Sequence, residues 1–321
     1  MIRCTMSAEA PLISIVLPLY NGRAYVKETL ASITAQTEQN AELIVIDDGS
    51  TDDSAELVRA TCRASASPVL QQAVIVPQRN LGVAAARNAG IGRARGTWIA
   101  FIDQDDVWLP HKLATQLSAL RALPDAHWHY SAFVRFYEDG REVVRATGSR
   151  DRVETWRRLL GGELFIPPAA AMVARAACEA VGGFDAALSP TDDWDFFLKL
   201  VARFNVCYSD ECLVRFRSHV RSTGKQQRRR IFELQREVLA RHAPEAAGVV
   251  DAGVITRRRA NIYWHLGREA LAAGDARAAR AWYRQALADD PWRVKCWRSY
   301  MITWLPRRVR ERAIPPLGAA S

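Results

Sequence analysis

The chain has 321 residues, 49% of them hydrophobic and 25% charged, which is the balance of a folded globular protein and excludes a disordered or fibrous one. No apolar run approaches the roughly eighteen residues of a membrane span, and Met1 to Pro11 lacks a signal-peptide core, so a cytoplasmic protein is expected. The formal charge of +9 lies wholly in the tail: residues 257–312 hold 14 Lys and Arg against 5 Asp and Glu. That asymmetry points to an anionic membrane surface or another acidic partner. No nucleic-acid recognition motif accompanies it, so nucleic acid is not expected. Six scattered cysteines (Cys4, Cys62, Cys178, Cys207, Cys212, Cys296) show no zinc spacing and read as free thiols of a reducing compartment.

Leu12 to Gly22 reads as a buried strand stopped by Pro18 and a turn at Asn21-Gly22. Val26, Leu30 and Ile33 give residues 25–35 one helical face. A second apolar strand, 41–46, ends in Asp47-Asp48-Gly49-Ser50, and Ser50 with Asp53 predicts a capping box for a helix over 52–60. A short strand at 73–76 leads to the turn Asn80-Leu81-Gly82 and an Ala-rich helix over 83–93. The run 97–102 is a fourth strand, and Pro110 opens a helix to residue 122. Four strand–helix alternations predict an α/β fold with a mostly parallel central sheet and helices on both faces. Two of its strands end in acid clusters, Asp47/Asp48 and Asp103/Asp105/Asp106. Both would fall on the C-terminal rim, where open α/β sheets bind ligands.

After Pro124 the pattern changes. A strand over 127–136, a hairpin turn at Glu138 to Arg141 and a strand over 169–173 are expected. Gly182-Gly183-Phe184-Asp185 forms a tight turn before a helix over 191–203 that buries Phe197, Leu198 and Val201. Asp192 and Asp193 in its first turn suit helix capping as well as chemistry. A further strand ends at 214–219, and a basic helix covers 226–241. From Asn261, Tyr263, Leu266, Ala270 and Leu271 share one face, and Ala278, Ala279, Trp282, Tyr283 and Ala286 share the next. This resembles a single tetratricopeptide unit. Such a unit must dock on the main domain, a second copy or a membrane, so a homodimer is one outcome. Trp292 to Arg312 mixes Trp292, Trp297, Tyr300, Trp304 and Leu305 with Arg and Lys, a pattern that suits an interfacial segment or a basic helix packed on the domain. The expected organisation is a tail over 1–11, an α/β domain over 12–225 with halves 12–123 and 124–225, and a basic helical extension over 226–321.

Three carboxylates within four residues repel one another unless a cation offsets them, and oxygen ligands suit Mg²⁺ or Mn²⁺. An ion held there would neutralise a diphosphate, so Asp103-Gln104-Asp105-Asp106 suggests a nucleotide-diphosphate site. The plainer reading is a solvated acidic turn before the next helix.

The fragments Val16 to Asn21, Glu42 to Asp52, Asn80 to Gly82 with Ala86-Arg87-Asn88, Asp103 to Asp106, Gly182 to Asp185, and Asp192-Asp193-Trp194 occur in a specific order. Over roughly 12–219 the chain resembles family 2 glycosyltransferases of the GT-A fold. The resemblance implies inverting, metal-dependent transfer of a sugar from a nucleotide-diphosphate sugar, most often a UDP-sugar, to an acceptor hydroxyl. A glycan or glycolipid acceptor is implied, in cell-envelope polysaccharide, lipopolysaccharide or glycolipid synthesis, with the enzyme peripheral on the inner face of the cytoplasmic membrane. Pro18 and Tyr20 would lie along the nucleotide, Asp48 would accept a hydrogen bond from the base, and Arg87 would lie near the diphosphate. Asp103 and Asp105 would form the Asp-x-Asp element, and Asp105 or Asp106 would hold Mn²⁺ or Mg²⁺ together with His219. Asp193 matches the catalytic base. Asp192 stands where many relatives carry Glu, one methylene longer, and is an additional metal candidate. The element of processive synthases is missing, so addition of one or a few sugars is implied. The competing readings are a non-catalytic sugar-nucleotide-binding scaffold and a haloacid-dehalogenase-like phosphatase with Asp103 as nucleophile.

Overall fold

The computed structural model describes residues 12–219 and 227–306. The expected N-terminal tail with Cys4, and the end of the basic stretch from 307, lie outside the described residues. The chain divides into two compact units, residues 1–155 with 164–219, and residues 156–163 with 220–321.

The first unit is built on β1 (Ile13–Leu19), buried at all seven positions. Parallel neighbours flank it: β2 (Ala41–Asp47) on one side and β4 (Trp98–Phe101) on the other, with β3 (Val74–Pro77) beyond β2. An apolar run without alternation is what a strand covered on both faces requires. Pro18 lies beyond the last β1–β4 pair, Val16 with Phe101, so the proline falls where β4 no longer flanks the strand. The connecting helices are α1 (Val26–Thr34), α2 (Ser54–Ala64), the short α3 (Pro68–Gln71) and α4 (Val83–Ile91). α4 is Ala-rich because it lies close to the sheet: a Cβ on Gly90 would stand 2.3 Å from Val16 Cγ1. The capping box at Ser50 and Asp53 does not form. α2 starts at Ser54, whose N–H donates to Asp52 Oδ1 (3.0 Å), and Ser50 Oγ instead accepts from the Asn21 N–H (3.2 Å).

The other half adds short antiparallel pairs to the parallel ladders. After β5 (Val107–Trp108) and α5 (Lys112–Ala122) come β6 (Ala126–Tyr137), β7 (Glu142–Arg145), α6 (Arg152–Gly161), β8 (Ala171–Ala174), α7 (Arg175–Ala180), α8 (Asp192–Arg203) and β9 (Asn205–Ser218). The sheet order is β3-β2-β1-β4-β8-β6-β9-β5, with β7 paired to β6. β8 runs antiparallel to both β4 and β6, while β6 and β9 are parallel. β5 has two residues, too few to show a period, and so has no sequence signature.

The second unit contains α9 (Arg228–His242), α10 (Ala252–Ala272), α11 (Ala276–Asp289) and α12 (Val294–Ile302). Ala270, Leu271, Ala279, Tyr283, Ala286 and Cys296 form its core cluster, as the paired helical faces require. Asp275 Oδ1 caps α11 by accepting from the Ala278 N–H (2.8 Å), and Tyr263 stacks on half-buried Trp282 at 5.7 Å. Cys62, Cys178, Cys207, Cys212 and Cys296 are free thiols. Among the described residues no helix is long and apolar enough to cross a membrane.

Candidate active site

β1, β2 and β4 are parallel, so the loops after them open on one rim. Side chains of the loops lock that rim together. Asn21, in the left-handed region at φ 50°, accepts on Oδ1 from the N–H groups of Thr51 (2.8 Å) and Asp52 (3.2 Å). Asn tolerates this conformation better than most residues. Gln104 grips the Tyr20 backbone from both sides: its Oε1 accepts from the Tyr20 N–H (2.8 Å) and its Nε2 donates to the Tyr20 carbonyl (2.9 Å). Tyr20 itself is 44% exposed, whereas Pro18 is buried in the strand.

Asp48 is buried and holds the 78–82 loop. Its Oδ1 accepts from Gln78 Nε2 (2.7 Å) and the Leu81 N–H (2.9 Å), and its Oδ2 accepts from the Gly82 N–H (2.8 Å). A carboxylate has about four acceptor directions. Asp48 therefore has one left, on Oδ2.

Arg87 comes from α4 and is buried among acids. Its Nη2 donates to Asp103 Oδ1 (2.7 Å) and Oδ2 (3.0 Å), and its Nη1 donates to Asp192 Oδ2 (3.1 Å). Its guanidinium also lies 5.1 Å from the Phe184 ring centroid. Burial disfavours the charged guanidinium, but the Asp103 and Asp192 carboxylates outweigh it and hold its pKa above the usual value. Burial also raises Asp192, against the lowering effect of Arg87.

The helix N-cap of α8 is Thr191, so Asp192 and Asp193 fall in its first turn. Asp192 turns to Arg87. Asp193 is half-buried and accepts on Oδ1 from the Trp194 N–H (2.7 Å). Burial first, and then the Asp192 charge, push the Asp193 carboxyl up to about 7. A carboxyl poised there suits proton abstraction at neutral pH.

The turn 182–185 is docked beneath by residues the sequence motifs contain without revealing their partners. Asn88 Nδ2 donates to the Phe184 carbonyl (2.7 Å), and the Phe184 N–H donates to Asn88 Oδ1 (2.8 Å). Lys199 Nζ donates to the Gly183 carbonyl (2.6 Å) and pairs with buried Asp195 at 3.0 Å. Gly183 has φ 65°, and a Cβ there would meet Asn88 Oδ1 at 2.4 Å.

His219, just past β9, meets the acid turn: its Nε2 lies 2.9 Å from Asp105 Oδ2, and its ring lies 5.1 Å from the Tyr25 ring. Two residues earlier, the Arg217 N–H donates to Asp106 Oδ1 (2.9 Å) and Arg217 Nε donates to the Asp105 carbonyl (2.9 Å). Arg217 was invisible as a site residue in sequence, since a basic residue in a strand carries no signal of its own. Asp106 is buried, and its Oδ2 has no hydrogen-bond partner. Burial, with the charges of Asp105 and Asp103, pushes its carboxyl well above the usual range.

These residues fit a divalent cation. Asp105 and His219 offer an oxygen and an imidazole nitrogen, donors that Mn²⁺ accepts. The unpartnered Asp106 Oδ2 marks a site short of positive charge. Among the described residues no group of three or more such side chains comes together, so an ion would take further ligands from a diphosphate or water. Asp192 faces Arg87 rather than this pair.

Residues 14–182 match the family model described as glycosyl transferase family 2. An uncharacterised glycosyltransferase of Haemophilus influenzae is 32% identical over 192 residues, 59% of this chain and 62% of that protein. A Bacillus subtilis glycosyltransferase named provisionally for teichuronic acid biosynthesis, TuaG, is 36% identical over 107 residues, 33% of this chain and 41% of that one. The matches thus span less than two thirds of these relatives. In fold, Staphylococcus aureus TarS 1-349 superposes with a TM-score of 0.63 at 15% identity, covering 95% of this chain and 93% of that one. The mannosyltransferase PcManGT from Pyrobaculum calidifontis, solved with GDP-Man and Mn²⁺, superposes with a TM-score of 0.60 at 20% identity, covering 92% and 86%.

Proposed function

Because the chain belongs to glycosyl transferase family 2, we propose that its acid rim transfers a sugar, with inversion, from a nucleotide-diphosphate sugar to an acceptor hydroxyl. The observation that carries the proposal is the joining of the two acid sets by one buried cation: Arg87 bonds Asp103 of the strand-end turn and Asp192 of α8. Asp193 follows Asp192 on α8, and Asp105 lies two residues beyond Asp103, so the bridge ties together the segments that carry both.

In this reading Asp193 removes the proton of the acceptor hydroxyl as the new C–O bond forms, an effect typically worth about 10²–10⁴-fold. Its raised pKa keeps it basic enough for the task. Asp105 and His219 hold Mn²⁺ or Mg²⁺, with Asp106 behind them. The ion, when bound, stabilises the growing charge of the nucleoside diphosphate leaving group. Pro18 and Tyr20 line the nucleotide, and Asp48 meets the base through its remaining acceptor direction. Arg87 acts as a bridge that places Asp103 and Asp192, and Gln104 and Arg217 fix the turn between them.

UDP is the first donor to test, with GDP next. TarS has been solved with UDP and with UDP-GlcNAc, and PcManGT with GDP-Man. The teichuronic acid name of the Bacillus relative supports an envelope polysaccharide, lipopolysaccharide or glycolipid acceptor. A phosphatase reading with Asp103 as nucleophile fits poorly, because both Asp103 oxygens are bonded by Arg87. Calorimetry of UDP, GDP and dTDP with and without Mn²⁺ tests the donor site. Metal-dependent binding of one nucleotide is expected; binding of none would put the scaffold reading first.

A further inference from the structure

α12 is anchored by one face and leaves the other to solvent. Cys296 and Thr303 point inward, 0% and 2% exposed. On the opposite side Val294, Trp297 and Met301 recur at helical spacing and are 77%, 48% and 62% exposed, and Leu305, past the end of the helix, is 40% exposed. Trp292 and Trp304 flank the helix, just before and just after it, and are 90% and 62% exposed. A run of large apolar side chains left in water is a cost that a partner would remove.

The surroundings state what kind of partner. Lys295 and Arg298 are exposed on the same helix, and the Arg280 guanidinium lies 4.5 Å from the Trp304 ring centroid. Residues 276–306 hold six Lys and Arg against two acids. Asp289 pairs with Arg259 outside that stretch at 2.5 Å, and Asp290 pairs with Arg293 within it at 3.8 Å, so five of the six basic residues are left without an acid of the stretch. Onward from there, the sequence adds Arg307, Arg308, Arg310 and Arg312 against Glu311.

We propose that this face is a membrane-surface site, which lays Trp292, Trp297, Met301 and Trp304 into the interfacial layer of an anionic bilayer. Indole rings suit that layer because they are apolar with one polar N–H. A nine-residue helix is too short to span but long enough to lie in the interface. Lys295, Arg298 and Arg280 then meet lipid phosphates. A second copy fits less well: a two-fold contact through the stripe would bring like charges together, and among the described residues 276–306 both carboxylates are already paired with arginines. The surface belongs to the second unit and stands without the transfer chemistry of the first.

The test is co-sedimentation of the full chain with vesicles of phosphatidylcholine alone, or with about one third phosphatidylglycerol, at low and high salt. Binding to the anionic vesicles alone, released by salt, is expected. Lys295→Glu with Arg298→Glu should weaken it about tenfold or more. Trp292→Ala with Met301→Gln should weaken it similarly with an unchanged circular dichroism melt, because both side chains are exposed. Absence of binding, equal binding to neutral vesicles, or full binding by these variants would overturn the proposal. So would a dimer, seen by sedimentation, that Trp292→Ala dissociates, because the face would then be a contact between copies.

Discussion

Arg87 Nη1 lies 3.1 Å from Asp192 Oδ2, joining α4 to α8 across 105 residues of sequence. Both side chains are buried, 6% and 3% exposed, so neither charge has water to fall back on. Removing one partner of such a pair typically costs about 3–5 kcal/mol, because the other charge stays buried and uncompensated. Arg87→Ala should lower stability by that order, read from the denaturant midpoint. Arg87→Lys should recover only part of it, since an ammonium lacks the fork that reaches Asp103 and Asp192 together. A midpoint unchanged by Arg87→Ala would show that the bridge contributes nothing.

Asp193→Asn should reduce transfer by roughly 10²–10⁴-fold while nucleotide affinity stays within about twofold, since the amide keeps the shape and loses the base. Single-turnover rates and calorimetry separate the two. A matching collapse of nucleotide affinity would remove Asp193 from the role of base.

The pH profile follows from the same carboxyl. Its pKa stands at about 7, raised by burial and by Asp192. A general base works ionised, so kcat should fall roughly tenfold per pH unit below 7 and level off above it. A profile flat from pH 5 to 8 would place the rate-limiting proton elsewhere.

Asp105 and Asp106 should behave differently. Asp105→Ala and His219→Ala remove the pair that meets at 2.9 Å, and each should weaken Mn²⁺-dependent nucleotide binding by about tenfold or more. Asp106→Asn retains an oxygen to accept from the Arg217 N–H, so its effect should be smaller. Titrating nucleotide at several Mn²⁺ concentrations gives the comparison, and a larger loss at Asp106 would exchange the two roles.

Gly183→Ala should destabilise by about 1–3 kcal/mol, because its φ of 65° strains an L-residue and its new Cβ meets Asn88 Oδ1. Thermal melts of Gly183→Ala with and without Asn88→Ala check it: the second change removes the clash and leaves the backbone strain, so only part of the loss should return.

The α/β layering was legible because burial on both faces writes itself as an unbroken apolar run, as in β1, and helical faces as a 3.6-residue period. The acid ends of β2 and β4 were legible for the same reason: a run that stops abruptly marks a strand end. The second half was harder. β5 is too short for a period, and β8 gives no sign in its own residues that it pairs antiparallel with β4.

Within the site, residue type marked the acid turn Asp103, Asp105 and Asp106, and the family resemblance added Asp193 and His219. Partners were decided by tertiary structure. The resemblance implies that Arg87 lies near the diphosphate and Asp48 at the base; the fold adds that Arg87 bridges Asp103 and Asp192 and that three donors of the 78–82 region hold Asp48. Gln104, Arg217, Asn88 and Lys199 carry no motif of their own, and their importance lies in which backbone groups they reach. A hydrogen bond depends on distance and angle in space, and those are set by how segments as far apart as 87 and 192 pack, so composition and periodicity determine the layers while only the folded chain determines which charge meets which.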